Sequence, residues 1–305
     1  MKLFPTGLLI LFAGAGPLAA DNLTSVANQT TPLMQEGATA RAVAMGYTYV
    51  GVAQGSAALF WNPAGLSGLK VPETALHHNF GLGNSIQEIG VFGGPVGEWG
   101  GFAGSLSYVF NGFFLGYDAQ GNKTGLYSAG DIGGSLGWGK QWIPGLSLGA
   151  AVKFNQQNLA SQSYSIFAAD LGLLWNPVST LQLGAAYTNL GEQVADSFLA
   201  SGFRMGASYT FDVGKDDQFL LAVSSELQTG GISRLNVGGE DTLFHFLALS
   251  AGYQANLTDP GLTGLTGLTA GAGIRAEHFL LDYAFVPYGG LGSTHRLSLT
   301  YQFPD

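Results

Sequence analysis

The chain has 305 residues, 46% hydrophobic and only 10% charged, with 11 basic against 20 acidic side chains and a formal charge of −9. That balance excludes a disordered chain, which is apolar-poor and highly charged, and a nucleic-acid binder, which needs a cationic face to displace counterions. With no cysteine, disulfides, thiolate metal sites, thiol nucleophiles and lipidated cysteines are excluded as well.

In chain order, Met1–Ala20 reads as a signal peptide. Lys2 is its positive start, Leu8–Ala13 its apolar core and Pro17-Leu18-Ala19-Ala20 its small-residue cleavage site. The core is too short to span a bilayer and is interrupted by Pro5, Gly14 and Gly16. No later stretch offers the ~18 consecutive apolar residues of a membrane helix. Export without a helical anchor is expected.

Residues 21–70 lack alternation and are rich in Ala and Gly, above all from Gly37 to Gly46 and from Ser56 to Leu66. Asn62 can cap a helical turn whose first position, Pro63, has φ already set. Small residues let such turns lie against a wall carrying Gly133, Gly137, Gly139, Gly149 and Gly184. An N-terminal hatch over 21–70 is predicted, lodged in a lumen that the remaining residues enclose.

From residue 71 onward the period is two, that of a β-strand. Leu146–Phe154, Leu181–Tyr187, Phe203–Phe211, Phe279–Phe285 and Leu297–Phe303 show it best. One face of each is wholly apolar or aromatic; the other is mainly Gly, Ala, Ser and Thr with a few ions. A soluble sandwich would dress its second face with Lys, Glu and Asp. A small, charge-poor second face suits the inside of a packed barrel. Its apolar partner suits lipid, where a mid-bilayer charge costs about 2–4 kcal/mol.

Turn signals divide the stretch into about fourteen strands: 71–80, 85–93, 99–111, 127–142, 146–158, 164–175, 180–189, 202–211, 218–227, 232–240, 246–256, 267–275, 277–286 and 294–303. An even count is what a bacterial single-chain barrel has. The reading is an all-β, transmembrane outer-membrane β-barrel over 71–305, built of antiparallel strands. Short connections near 94–98, 143–145, 176–179 and 276–277 are expected at the periplasmic end, and longer ones at 112–126, 190–201, 257–266 and 287–293 outside. Trp99, Trp142, Trp175 and Phe303 fall at the periplasmic end, where an aromatic girdle belongs.

Candidate chemistry is sparse. Arg275, Asp282 and Arg296 face inward on the last three strands, as a polar site for a carboxylate or as an interior ion pair. Arg41 could latch the hatch to Glu226, Asp170 or Asp282. Met45, Phe60, Trp61 and Leu66 could line an apolar pocket between hatch and wall, or form the hatch's own core. His77, His78, His245, His278 and His295 show no metal-ligand spacing, and no Gly-x-Ser-x-Gly or dinucleotide motif stands out. No catalytic residue, metal or cofactor is expected.

Gly37-Ala38, Arg41-Ala42, Met45-Gly46, Val50, Ala53, Ser56-Ala57 and Trp61-Asn62-Pro63-Ala64-Gly65-Leu66 together resemble the hatch motif of the PorV/PorQ group, distant relatives of FadL-type long-chain fatty acid transporters. Leu281–Pro287, Gly290–Gly292 and Thr294-His295-Arg296 resemble that group's C-terminal stretch, and Ala168–Trp175 and Ala186–Gly191 fit it as well. The chain departs from the group at Gln54-Gly55, where an acidic residue is usual.

The resemblance implies a barrel of about fourteen strands plugged by its N-terminus, with Arg41, Asn62, Pro63 and Gly65 in the hatch motif. It also implies one of two functions. The FadL-like one is passive transport of hydrophobic, fatty-acid-like small molecules, with outer-membrane lipid around the barrel. The PorV/PorQ one is a scaffold or shuttle in type IX secretion, whose partners are secreted proteins or secretion-system subunits.

Overall fold

The structure is a computed structural model that describes residues 29–30, 38–160, 162–191, 198–199, 201–213, 217–229, 232–257 and 266–304. The signal peptide expected at 1–20, Gly37 of the hatch motif, and much of the connections 190–201 and 257–266 lie outside the described residues.

The period-two pattern folds as strands throughout. They are β1 (Glu73–Phe80), β2 (Ile86–Pro95), β3 (Gly101–Tyr117), β4 (Lys123–Ile143), β5 (Leu146–Leu159), β6 (Gln162–Val178) and β7 (Leu181–Leu190). Then come β8 (Gly202–Val213), β9 (Asp217–Gln228), β10 (Arg234–Leu243), β11 (Leu247–Asn256), β12 (Leu268–Ala276), β13 (Phe279–Pro287) and β14 (Ser293–Gln302). Each pairs antiparallel with its chain neighbours, and β14 closes on β1 from His295↔Phe80 to Gln302↔Glu73. Closure matters because lipid offers no hydrogen bonds to a free sheet edge.

One expected connection is corrected. The stretch 112–126 is not a long loop, because β3 and β4 resume pairing from Phe113↔Ser128 and end at Tyr117↔Lys123. Gly112, with φ +82°, falls in an irregularity between Phe110 and Phe113 that absorbs the break in alternation. The tip is an Asx turn: Asp118 Oδ1 accepts the N–H groups of Gln120 at 2.9 Å and Asn122 at 2.8 Å. Hydrogen bonds from Asn122 hold that exposed carboxyl below the usual aspartate range.

The apolar faces of the five clearest segments point outward. Val152 is 60% exposed, and Phe203, Leu281, Tyr283, Leu297 and Leu299 are exposed with it. Such a surface is untenable in water and natural against acyl chains. At the end where β14 stops, Trp99, Trp142, Trp175 and Phe303 are exposed, and Lys140 Nζ lies 6.0 Å from the Trp99 ring and 5.6 Å from the Trp142 ring. This is the interfacial belt, and it marks the periplasmic end.

Residues 38–69 run inside the barrel. A short helix, α1 (Ala40–Ala44), packs against β11–β14, and two 3-10 turns, Ser56–Phe60 and Pro63–Gly68, pack against β1–β4 and β3–β6. Between them Met45-Gly46 lies on β10–β11, and Val50-Gly51 on β7–β8. The inner segment thus touches the wall on every side.

Glycine makes that approach possible. A Cβ at Gly137, Gly139, Gly149 or Gly184 would collide with the inner segment. From the other side, Gly46 has φ +67°, and a Cβ there would lie 2.7 Å from Tyr253 N and 2.8 Å from Val237 O. The core that results is Met45, Tyr49, Leu59, Trp61 and Leu66 against Ala75, Val91, Ala103, Ala151 and Ala222 of the wall.

Candidate functional site

The site grows from the inner segment outward. Asn62 caps the second 3-10 turn: its Oδ1 accepts Ala64 N–H at 3.2 Å. Its Nδ2 donates to Val50 O and to Leu173 O of β6, both at 3.0 Å. Pro63 supplies the first residue of that turn, and Gly65 leaves no room for a side chain, since a Cβ there would lie 2.8 Å from Ala58 Cβ. Beside Gln54-Gly55 a carboxylate reaches the turn from the wall: Glu73 Oε1 accepts Ser56 N–H at 2.6 Å.

Arg41 makes a forked contact with Glu240 of β10, Nη2–Oε1 at 2.7 Å and Nε–Oε2 at 3.0 Å. None of its three expected partners is the one paired with it. Glu226 belongs to Arg204 at 2.8 Å and Arg234 at 3.5 Å, Asp170 to Lys153 at 2.6 Å, and Asp282 to Arg275 at 2.6 Å. Placement excludes two of them, since α1 lies on β11–β14 while Asp170 and Glu226 stand on β6 and β9; Asp282, on β13, is held by Arg275 instead.

The inward trio on the last three strands divides. Arg275 and Asp282 pair, and Arg275 also lies 3.8 Å from Glu240. This gives an alternating chain Arg41–Glu240–Arg275–Asp282 of matched charge. Arg296 is buried on β14 and borders a different cavity.

Of the four apolar candidates, Met45, Trp61 and Leu66 are buried in the inner core, and Phe60 is half-buried beside it. Trp61 packs edge-on against Tyr49, ring centroids 5.9 Å apart, beneath the Arg204 guanidinium at 5.6 Å. Phe60 meets the His77 ring edge-on at 6.3 Å.

Described residues line several cavities, and none of the four apolar candidates borders the following four. An outer one of about 280 Å³ lies among Asn79, Gln87, Thr294 and Arg296 under the 81–85 and 288–292 connections. Two on the periplasmic side, of about 470 and 200 Å³, share Arg41 and Gln54. The fourth, about 690 Å³ and almost wholly apolar, is a depression in the outer face of β2–β5. Its floor is Gly94, Gly104 and Ala150, and its rim is Phe92, Phe102, Leu136 and Val152. The wall behind it is thin: Ala103, Gly137 and Ala151 face inward there, and Leu59 and Leu66 fill the space where a side chain of Gly137 would stand.

Sequence reasoning missed the depression and the polar strip of Asn79, Gln87 and Thr294. The depression had a signal, because glycines interrupt the apolar stripe at 94 and 104. The polar strip had little, since Thr294 on β14 lies far along the chain from Asn79 and Gln87 on the β1–β2 hairpin.

No protein-family model matches the chain, and no curated protein does. Solved structures do. The toluene transporter TodX of Pseudomonas putida aligns with a TM-score of 0.62 at 14% identity, over 87% of this chain and 96% of that one. A FadL homologue of Pseudomonas aeruginosa aligns at 0.54 and 13%, over 87% and 98%. The CymD monoaromatic hydrocarbon channel aligns at 0.59 and 11%, over 88% and 98%. The chain has the fold of these FadL-type channels. Closed barrel, apolar belt and aromatic girdle together place it in a bacterial outer membrane.

Proposed function

We propose that this barrel passively transports a hydrophobic small molecule across the outer membrane, with residues 21–70 acting as its hatch. The observation that carries this reading is the apolar depression of about 690 Å³ in the β2–β5 wall, backed by the inner segment through a layer of small residues. An apolar solute partitions into such a site from lipid or a lipid-like environment without giving up hydrogen bonds. TodX and CymD, described as a toluene transporter and a monoaromatic hydrocarbon channel, share the fold and support the substrate class.

The relation to the PorV/PorQ group rests on the motif residues, and the secretion role it implies gains no support from the geometry. The described external connections 81–85, 118–122 and 288–292 are short for a docking platform.

The test is uptake of radiolabelled toluene and of a long-chain fatty acid by cells carrying the protein in the outer membrane. Filling the depression with Gly104→Leu or Ala150→Phe is expected to cut uptake about tenfold. Uptake equal to that of cells lacking the barrel would refute transport. Stable recovery of secreted proteins with a barrel that takes up neither solute would establish the scaffold instead.

A further inference from the structure

The polar strip carries an inference of its own. Asn79 Oδ1, Gln87 Nε2, Thr294 Oγ1, His77 Nε2 and Thr39 Oγ1 are buried among the described residues without a hydrogen-bond partner. Buried polar atoms are nearly always satisfied. When several orphans fall together, another molecule meets them. These all lie on the inner face of β14, β1 and β2 or on the start of the inner segment facing it, and every one borders a cavity.

The two cavities they border nearly join. Asn79 on β1 and Arg296 on β14 line the outer cavity, and the next inward residues, His77 and Ser298, line the larger periplasmic one. Two residues of strand separate them, about 7 Å. The barrier is specific: Ala40 N–H donates to Ser298 Oγ at 2.9 Å, and Ser298 Oγ lies 2.8 Å from His77 Nδ1. The Phe60 ring closes on His77 from the inner segment.

The unpartnered set mixes an amide donor, an amide carbonyl and hydroxyls. Among the charges that border the two cavities, Arg41, Asp282 and Glu73 are engaged by protein groups, Arg296 also has an interaction within the protein, and Lys70 is exposed. A neutral polar molecule complements such a lining; a hydrocarbon does not. At about 30 Å³ per water, the outer cavity of about 280 Å³ holds roughly nine waters or one small sugar.

We propose that the inner face of β14–β1–β2 is a hydrophilic passage for small uncharged polar solutes of polyol to monosaccharide size. Its gate is the contact of Ala40 and Phe60 with Ser298 and His77. The passage runs apart from the apolar depression and does not depend on hydrocarbon transport.

The test is swelling of liposomes containing the full-length protein in iso-osmotic ribitol or arabinose, which is indifferent to hydrophobic uptake. Ser298→Gly combined with Phe60→Ala is expected to raise the swelling rate about fivefold or more. Adding Thr294→Trp should return it to the wild-type rate, and Ser224→Ala, on β9, should leave the wild-type rate unchanged. A gate variant that keeps the heat-modifiable gel shift of a folded barrel yet swells like wild type overturns the proposal. So does fast swelling that Thr294→Trp does not reverse.

A second measurement leaves the gate intact. The chain has no cysteine, so Asn79→Cys and Thr300→Cys can be probed singly with a water-soluble maleimide. Both should react in the folded protein, while Val237→Cys on the lipid face should not. Protection of either lumenal cysteine overturns the proposal.

Discussion

Arg41 and Glu240 show how one contact decides the footing of the inner segment. Glu240 is buried and Arg41 half-buried, and the guanidinium meets the carboxylate in a fork, so removing either partner strands a charge in the lumen. Glu240→Gln is expected to lower unfolding free energy by about 3 kcal/mol, read from urea denaturation of the refolded barrel. The pair Arg41→Met with Glu240→Met should recover most of that loss, because well-packed apolar replacements of a buried ion pair are often neutral. A Glu240→Gln change under about 0.5 kcal/mol would show that water reaches the pair. Asn62 makes the second prediction at this scale. It holds three backbone groups, those of Val50, Leu173 and Ala64, and Asn62→Ala should cost about 2–3 kcal/mol by the same denaturation measurement.

Among the elements, the inner segment and the wall depend on each other through glycine. A β-barrel forms from its outward stripe and its backbone ladder, and neither depends on the inward side chain at position 184 or 149. Gly184→Val and Gly149→Leu are therefore expected to leave a barrel with the normal heat-modifiable gel shift. Their side chains would occupy the space of Val50-Gly51 and of Pro63-Ala64, and the inner segment would lose its seat. Limited proteolysis should then cut within residues 38–69 at least about ten times faster than in wild type. Equal protection would mean that the segment's other contacts are sufficient. The tall β3–β4 hairpin belongs to this scale too. Its alternation is broken at Asn111-Gly112, so a local pattern stops there, while cross-strand pairing carries the sheet on to Tyr117.

For the whole molecule, the outward stripe sets where the barrel can live. Leu297 sits near the middle of β14 and faces lipid. Leu297→Arg should destabilise the barrel by about 2–4 kcal/mol in phospholipid bilayers, while Gln120→Arg at the exposed hairpin tip should fall near zero. Equal effects at the two positions would contradict the membrane placement of the stripe.

Strand number, barrel closure and the lipid-facing side were legible in the chain alone, because alternation is a local property that each strand displays within its own ten or so residues. The cap at Asn62-Pro63 was legible for the same reason. Arg41's partner was not, since Glu240 lies 199 residues away and α1 had to be seated before its reach was defined. Nor was the strip of Asn79, Gln87 and Thr294, because Thr294 joins the hairpin pair only when β14 closes on β1. Local chemistry chooses the elements; the register between distant strands chooses which side chains meet, and the charge chain, the apolar depression and the polar strip are all products of that register.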